Sequence, residues 1–320
     1  MTKPRFSGVY PVLYAYRGAD QRLDKEAMRR QIECCLAAGA HGITVLGLVT
    51  EVFRMSTTER LQVVEWTSEI VAGRVPIAVT VAETTTYGQI DFCHEATRLG
   101  ATWLILQPPS IKGVTEAELV RFLGTVANAC TIPVAVQNNP IAMDVSLSNA
   151  ALLALHRDYP NISLMKAEGH AMFVSEFALK ASGTCDIFAG HGGLEYLTNL
   201  RSGVAGLIPA PEVLDVQVRL HKLWAEGTPE SRQEAEALHR AILQVLVFMS
   251  RGLPIVLTYG KRLMAKRIGL DPVHAVMPEP VTTDFGIQEI DRFYDLLGPM
   301  RKADESLSPG VLKAAGLSAS

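Results

Sequence analysis

The stretch Ile162-Ser163-Leu164-Met165-Lys166 combines a short apolar run with a terminal lysine. A continuous apolar run of this length predicts a buried strand, and here the strand would end at the lysine. Apolar surroundings disfavour the charged form of a lysine, and a neutral amine can attack a ketone to form a Schiff base. On this run alone, the simpler interpretation is a lysine whose ammonium lies in water beyond the strand end.

The chain around this run alternates short apolar runs with helix-like segments. Continuous apolar runs are typical of parallel strands that are covered on both faces. Eight such strand–helix units predict an α/β fold, a (β/α)8 TIM barrel with its active site at the carboxyl ends of the strands. A doubly wound sheet is the alternative, although no G-x-G-x-x-G motif follows the first strand. The predicted strands are Val9–Tyr14, Gly42–Gly47, Ile77–Ala82, Trp103–Gln107, Pro133–Gln137, Ile162–Lys166, Asp186–Ala189 and Val204–Ile208.

Local signals place several helix ends. Ser56 and Glu59 form a predicted capping box, and Thr115 and Ser146 are predicted N-caps of later helices. Glycines that follow predicted helices, such as Gly39, are expected to adopt the left-handed conformation before the next strand.

After about residue 209 the strand pattern stops and helical patterns continue to the end. We predict helices at Val213–Glu226, Pro229–Ser250 and Pro254–Ile268. The division expected from this change is a barrel over residues 1–225 and a C-terminal helical extension over residues 226–320. Because no low-complexity linker separates them, the extension is expected to pack on the barrel.

Composition excludes several classes of function. The 320 residues carry a formal net charge of −3, so no basic surface for nucleic acid is expected. No apolar stretch approaches the roughly 20 residues that span a membrane. Five cysteines without C-x-x-C spacing or an apparent secretory signal suggest a cytoplasmic protein with reduced thiols. The histidines are scattered and indicate no metal site, and no thiamine, pyridoxal phosphate or nicotinamide motif occurs.

The barrel prediction brings polar residues from separate strand ends to one mouth. Lys166 would end strand six with Glu168 just beyond it, and Gln137 would end strand five. The other residues expected to contact a ligand there are Leu48, Val49, Thr50, Glu83, Gly190, His191 and Ile208.

The order of these motifs resembles the dihydrodipicolinate synthase / N-acetylneuraminate lyase family of Schiff-base aldolases. That family has G-[TS]-[TS]-G-E after strand two, Y-N-x-P after strand five, a lysine ending strand six and a glycine-bearing turn after strand seven. The resemblance covers roughly residues 7–270. It rests on Gly47, Glu51, Asn138, Pro140, Lys166, Gly190 and Gly206-Leu207-Ile208. It implies that Lys166 is the Schiff-base lysine, that no separate cofactor is needed and that the chain forms a homo-oligomer, a tetramer or dimer of dimers.

The positions at which the sequence departs from the family pattern limit the reactions that are expected of it. Gln137 stands where the family has a proton-relaying tyrosine, and an amide cannot act as an acid or base near neutral pH. The arginine that grips a second substrate's carboxylate would fall near Ala142, so dihydrodipicolinate synthesis is not expected. The 2-keto-3-deoxy-L-arabonate dehydratase branch looks similar, with its [ST]-E-x-F, Q-x-x-P and K-x-E motifs. The matching stretches here are Thr50–Phe53, Gln137–Pro140 and Lys166–Glu168.

A mechanism follows for a small-molecule 2-keto acid substrate. Backbone N–H groups of the Leu48-Val49-Thr50 turn would hold its carboxylate, and Gln137 would add a hydrogen bond. Lys166 would form an imine at C2, a base would remove a C3 proton, and the C4 hydroxyl would leave. The candidate proton shuttles are Glu168, Glu83, His191, a water molecule and the substrate carboxylate.

Each of these residues also has a structural interpretation. Glu168 could pair with a neighbouring charge, and His191 could be a solvated turn residue. Glu51 is expected to be structural, with its carboxylate on backbone N–H groups of its own turn. Two alternative functions share Lys166: a retro-aldol cleavage to pyruvate plus an aldehyde, and a catalytically weak barrel that binds a keto acid.

Overall fold

Eight parallel strands alternate with helices in the computed structural model, which describes residues 6–141, 143, 145–181 and 183–318. Apolar side chains of both faces of these strands are buried, which explains the continuous apolar runs in the sequence. The fold is therefore the predicted (β/α)8 barrel. The strands are β1 Gly8–Val9, β2 Ile43–Val45, β3 Ile77–Val81, β4 Trp103–Leu106, β5 Val134–Asn138, β6 Ile162–Ala167, β7 Asp186–Ala189 and β8 Gly206–Leu207.

The helices of the barrel lie between and after these strands. They are α1 Lys25–Ala37, α2 Thr57–Val71, α3 Thr86–Arg98, α4 Glu116–Ala129, α5 Asn149–Asp158, α6 Ala171–Lys180, α7 Tyr196–Arg201 and α8 Leu214–Glu226. Short 3₁₀ turns at Leu48–Thr50, Val52–Arg54, His191–Gly193 and Pro211–Val213 follow β2, β7 and β8. These turns bring several of the predicted site residues to the carboxyl ends of the strands.

The C-terminal extension is helical, as predicted. Its helices are α9 Pro229–Met249, α10 Leu253–Ile255, α11 Lys261–Arg267, α12 Asp284–Leu297 and α13 Pro309–Ala315. A π-helical turn, Val256–Gly260, joins α10 to α11, so the predicted helix Pro254–Ile268 is interrupted there. In the described part of the chain no single helix is long and apolar enough to cross a membrane. The helical segments Pro229–Met249 and Leu253–Arg267, which are bent against each other, are long and apolar enough only when taken together.

The first and last strands are shorter than predicted. β1 ends at Val9, although the N–H of Val12 still donates to Pro209 O, beyond β8, at 2.7 Å. On the side of β2, Pro11 has no N–H to donate to a ladder, and pairing there is an isolated parallel bridge between Val12 and Thr44. This bridge joins the segment after β1 to β2 and closes the barrel.

Most predicted helix signals are confirmed. Ser56 and Glu59 form the capping box of α2, and Thr115 caps α4. The Ser146 prediction is wrong: Ser148 caps α5. The reason is tertiary, because the N–H of Leu147 donates to Asn138 Oδ1 at 2.9 Å and holds the chain extended until Ser148.

Buried polar contacts join the extension to the barrel. The Tyr16 hydroxyl donates to Lys261 O at 3.2 Å, and Arg267 pairs with Asp215 at 2.6 Å. The extension therefore packs on the barrel through buried polar contacts. This agrees with the prediction made from the absence of a low-complexity linker between them. The domain boundary at residue 225 stays a prediction.

Candidate active site

Lys166 is the second-to-last residue of β6 and lies at the carboxyl end of the barrel. Its neighbours in register are Gln137 of β5 and Phe188 of β7. The side chain is only 4% exposed. Lys166 and Glu168 both line a cavity of about 340 Å³ at the barrel mouth, so the buried amine faces a space that can hold a small molecule.

Glu168 lies directly beside the amine. Its Oε1 is 3.5 Å from Lys166 Nζ, and its Oε2 accepts hydrogen bonds from the side-chain amides of Gln137 and of Asn139, the latter at 3.1 Å. Residues two apart on a strand share a face, and Glu168 N continues the pairing with Asn138 O. The structure is therefore compatible with both interpretations of Glu168. As a structural residue it pairs with the Lys166 amine, and as a proton shuttle it lies in the cavity beside that amine.

A chain of glutamine side chains fixes Gln137 behind Glu168. Gln107 Nε2 donates to Gln137 Oε1 at 2.9 Å, so the amide nitrogen of Gln137 is left to donate to Glu168. Gln89 Nε2 donates in turn to the backbone oxygens of Gln107 and Glu83, both at 2.8 Å. Gln137 does not line the cavity. Its predicted contact with a ligand stays a prediction, and the contact that the structure gives it is with Glu168.

Gly190 is explained by the space that Glu168 occupies. A Cβ atom at Gly190 would lie 2.2 Å from Glu168 Cγ and 2.6 Å from its Oε1. No real Cβ contact is that short, so a side chain here would displace the carboxylate. Gly190 thus contacts Glu168, whereas the next residue, His191, is half-buried and lines the cavity.

The turn after β2 supplies part of the cavity wall. Leu48 and Val49 line it, and their backbone N–H groups have no acceptor among the described residues, as at the start of any helical turn. Thr50 is different. Its N–H donates to Gly47 O at 3.0 Å and its hydroxyl to Leu13 O at 2.7 Å, so two N–H groups of the turn, not three, are available to a ligand.

The carboxylates of Glu51 and Glu83 have cationic partners. Glu51 pairs with the buried Lys261 and, at 3.1 Å, with Arg54. The expected bonds to backbone N–H groups of its own turn are replaced by this pairing, although the structural role stands. Glu83 pairs with Arg60 at 2.6 Å and does not line the cavity, and burial raises the pKa of its carboxyl. Its ligand contact stays a prediction.

The remaining wall comes from parts of the chain that sequence reasoning did not include. Ile208, which is predicted to contact a ligand, lines the cavity, and so do residues that follow it around the 3₁₀ turn after β8, among them Glu212. The C-terminal extension adds an apolar part of the cavity wall that no sequence motif predicted. Its members are Leu246, Met249, Leu253 and Val256. Ala142, near which the family's arginine would fall, lies outside the described residues.

A comparison with known protein families shows to which family the chain belongs. The profile described as the Dihydrodipicolinate synthetase family matches residues 5–283. The chain belongs to this family. The match contains all eight strands and Lys166, so the candidate site lies within the part that the family shares.

Two relatives of this dihydrodipicolinate synthetase family member carry the names of different activities. It is similar to an L-2-keto-3-deoxyarabonate dehydratase of Azospirillum brasilense, 26% identical over 76% of this chain and 79% of that one. It is also similar to a probable 2-dehydro-3-deoxy-D-pentonate aldolase of Escherichia coli K12, 25% identical over 79% of this chain and 84% of that one.

Solved structures of the family have the same fold. One of them, a prophage protein of the dihydrodipicolinic acid synthase family from E. coli K12 in complex with pyruvate, superposes with a TM-score of 0.82. It is 24% identical, and the alignment covers 91% of this chain and 98% of that chain. At that identity the likeness confirms the barrel and its helical extension.

Proposed function

We propose that the protein is a Schiff-base-forming lyase that dehydrates a 2-keto-3-deoxy sugar acid through an imine on Lys166. The observation that carries this proposal is the buried Lys166 amine, 3.5 Å from the Glu168 carboxylate in a cavity at the barrel mouth. Family membership supports the lyase class. The dehydratase name of one relative supports the reaction and the substrate class.

The first half of the mechanism forms the imine. The substrate carboxylate lies against the free N–H groups of Leu48 and Val49, which orients the C2 ketone toward Lys166. Glu168 accepts the ammonium proton across the 3.5 Å gap, and the neutral amine adds to C2. Glu168 returns this proton to the carbinolamine hydroxyl, which leaves as water, so that the imine is protonated and Glu168 is a carboxylate again. The lysine itself supplies the electron sink, so the reaction needs no separate cofactor.

The second half removes water from the substrate. The imine acidifies C3, and Glu168 takes the C3 proton. The hydroxyl then leaves C4, the double bond shifts by tautomerisation so that the C5 alcohol becomes an aldehyde, and hydrolysis of the imine releases the product. Gln137 and Asn139 donate to Glu168 Oε2 and hold the carboxylate in place for both transfers.

A retro-aldol reaction is the second candidate, supported by the relative whose name is that of an aldolase. It shares the imine but requires removal of the proton from the C4 hydroxyl, after which the C3–C4 bond breaks. Product analysis separates the two reactions. With 2-keto-3-deoxy-L-arabonate we expect 2-oxoglutarate semialdehyde, whereas an aldolase releases pyruvate and glycolaldehyde.

The matched variants for this assay are Lys166→Ala and Lys313→Ala, the latter an exposed lysine of α13. We expect no product from Lys166→Ala and wild-type turnover from Lys313→Ala. Binding of the keto acid without turnover of any kind by the wild-type protein would instead identify a keto-acid-binding barrel and overturn the proposal.

A further inference from the structure

Glu212 is a second buried carboxyl group in the wall of the cavity. It lies in the 3₁₀ turn Pro211–Val213 after β8, whereas Lys166 lies in β6 and Glu168 follows that strand directly. All three residues line the same cavity, and Glu212 is only 4% exposed. The mechanism described above leaves this group without a role.

One contact fixes the position of the Glu212 carboxyl. The Tyr14 hydroxyl donates to Glu212 Oε2 at 3.0 Å, and the same hydroxyl is 3.3 Å from Val256 O. Gly260 packs against both groups, since a Cβ there would lie 2.5 Å from the Tyr14 oxygen and 3.3 Å from Glu212 Oε1. Among the described residues no other side chain donates to Oε1, so this oxygen can carry a proton for transfer.

The nearest cation is engaged elsewhere. Arg267 donates through Nη1 to the backbone oxygen of Glu212 at 2.8 Å, while its guanidinium makes two hydrogen bonds to Asp215, at 2.9 and 2.6 Å. No described residue forms an ion pair with the Glu212 carboxyl, in contrast to Glu168, which has Lys166. Burial raises the pKa of Glu212 to about 7, against the smaller lowering effects of a backbone hydrogen bond from Glu212 itself, of Tyr14 and of Arg267.

The other charged or titratable groups near Glu212 do not provide a missing partner. Tyr16 is buried on the β1 side, and burial holds its pKa well above the usual range, so it stays neutral. In α11, Lys261 pairs with Glu51. The groups in the rest of the cavity wall are Lys166, Glu168 and His191.

We propose that Glu212 is the general acid that protonates the C4 hydroxyl as it leaves. The inference rests on the proposed function, and it divides the acid and base roles between two carboxyl groups in different surroundings. Glu168 faces donors, namely the Lys166 amine and two amides, which suits a proton acceptor. Glu212 is buried and has no ion-pair partner among the described residues, which suits a proton donor.

In the dehydration step the C3–H bond breaks, and Glu168 takes the proton. The electron pair forms the C3–C4 double bond while the C4–O bond breaks, and the departing oxygen takes the Glu212 proton and leaves as water. Glu168 is then protonated and Glu212 is a carboxylate, and a water molecule in the cavity returns the proton. A retro-aldol reaction needs the opposite transfer at C4, so a protonated Glu212 favours dehydration.

The test is Glu212→Gln, which keeps the shape and an acceptor for Tyr14 but has no proton to transfer. We expect the borohydride-reduced adduct on Lys166 to form as in wild type, and kcat for dehydration to fall by about 100-fold or more. In wild type, kcat should decline as pH rises through about 7, because Glu212 must be protonated, and this decline should vanish in the variant. Glu176→Gln, a surface carboxylate of α6, should match wild type in every assay.

A second variant keeps the proposal testable if Glu212→Gln does not fold. Tyr14→Phe removes the hydrogen bond that favours the charged form of Glu212, so the decline in kcat should move to higher pH. Unchanged dehydration in Glu212→Gln, or loss of its adduct together with its activity, would overturn the role of Glu212 while leaving Lys166 chemistry intact. An unmoved decline in Tyr14→Phe would do the same. Failure of wild type to form an adduct, or its release of pyruvate, would overturn the proposed function itself.

Discussion

Lys166 and Glu168 depend on a residue that has no side chain. Gly190 has φ −122° and ψ −138°, and at this position the Glu168 side chain also leaves no room for a Cβ atom. Because a Cβ at this position would lie 2.2 Å from Glu168 Cγ, the carboxylate has to move if the position is filled. The glycine after β7 is thus part of what sets the distance between amine and carboxylate.

We therefore expect Gly190→Ala to lower kcat by about 100-fold, the size of effect associated with small displacements in active sites. Steady-state kinetics of three variants would check this: Gly190→Ala, Glu168→Ala and the double variant. Since the alanine acts through Glu168, the double variant should resemble Glu168→Ala alone. A double variant whose losses simply multiply would show that Gly190 acts through something else.

The turn after β2 is joined to α11 by a buried ion pair. Glu51 and Lys261 are 4% and 2% exposed, and Lys261 Nζ also donates to Ala15 O at 3.2 Å. Burial lowers the pKa of Lys261, against the opposing effect of Glu51. This pair connects the barrel to the extension beneath the turn that carries Leu48 and Val49.

Removing only one partner leaves a buried charge without compensation. We expect Lys261→Met to lower the free energy of unfolding by about 3–5 kcal/mol, and Lys261→Met with Glu51→Gln to recover part of that loss. Urea denaturation of the three proteins measures both effects. A Lys261→Met protein as stable as wild type would mean that Glu51 finds another partner or is solvated.

The helices and strands were largely predictable because their signals are local. Apolar runs, the Ser56 capping box and the glycine after α1 act over a few residues, and the structure confirms them. The Ser146 prediction was wrong because Asn138, in another strand, holds Leu147 extended.

The site was only partly predictable for the same reason. Lys166 is near the end of β6 and Glu168 directly continues the pairing of that strand, so their proximity follows from strand periodicity. The orientation of Gln137 depends on Gln107 of the neighbouring strand, and the position of Glu212 depends on Tyr14 and Gly260. No sequence motif predicts either of these contacts. The apolar wall from α9 could not be predicted, because its residues return to the barrel mouth from far along the chain.

The stability of the whole chain should depend on pH through a histidine at the opposite end of the barrel. His221 Nδ1, in α8, lies 2.6 Å from the Tyr196 hydroxyl oxygen, and the His221 ring meets the His41 ring edge-to-face, at 5.3 Å between ring centroids. Burial lowers the pKa of His221 to about 4 from its usual 6.5. The folded state therefore holds the neutral ring, whereas the unfolded state takes up a proton below about pH 6.5.

The resulting loss of stability has a defined direction and range. The contribution of His221 is present above pH 6.5 and is lost as pH falls toward 4, by roughly 1.4 kcal/mol per pH unit. Urea denaturation of wild type and His221→Gln at several pH values measures it. The wild-type curve should fall more steeply across this range, and parallel curves would contradict the prediction.

The complete molecule brings together a lysine from β6, a carboxylate beside it and a cavity wall from the C-terminal extension. The most direct test of the account is borohydride reduction in the presence of pyruvate or 2-keto-3-deoxy-L-arabonate, followed by peptide mass spectrometry. We predict a reduced adduct on Lys166 with both keto acids, and 2-oxoglutarate semialdehyde as the product in unreduced samples of the second. Folded protein that forms no adduct on Lys166 with either compound would contradict the account.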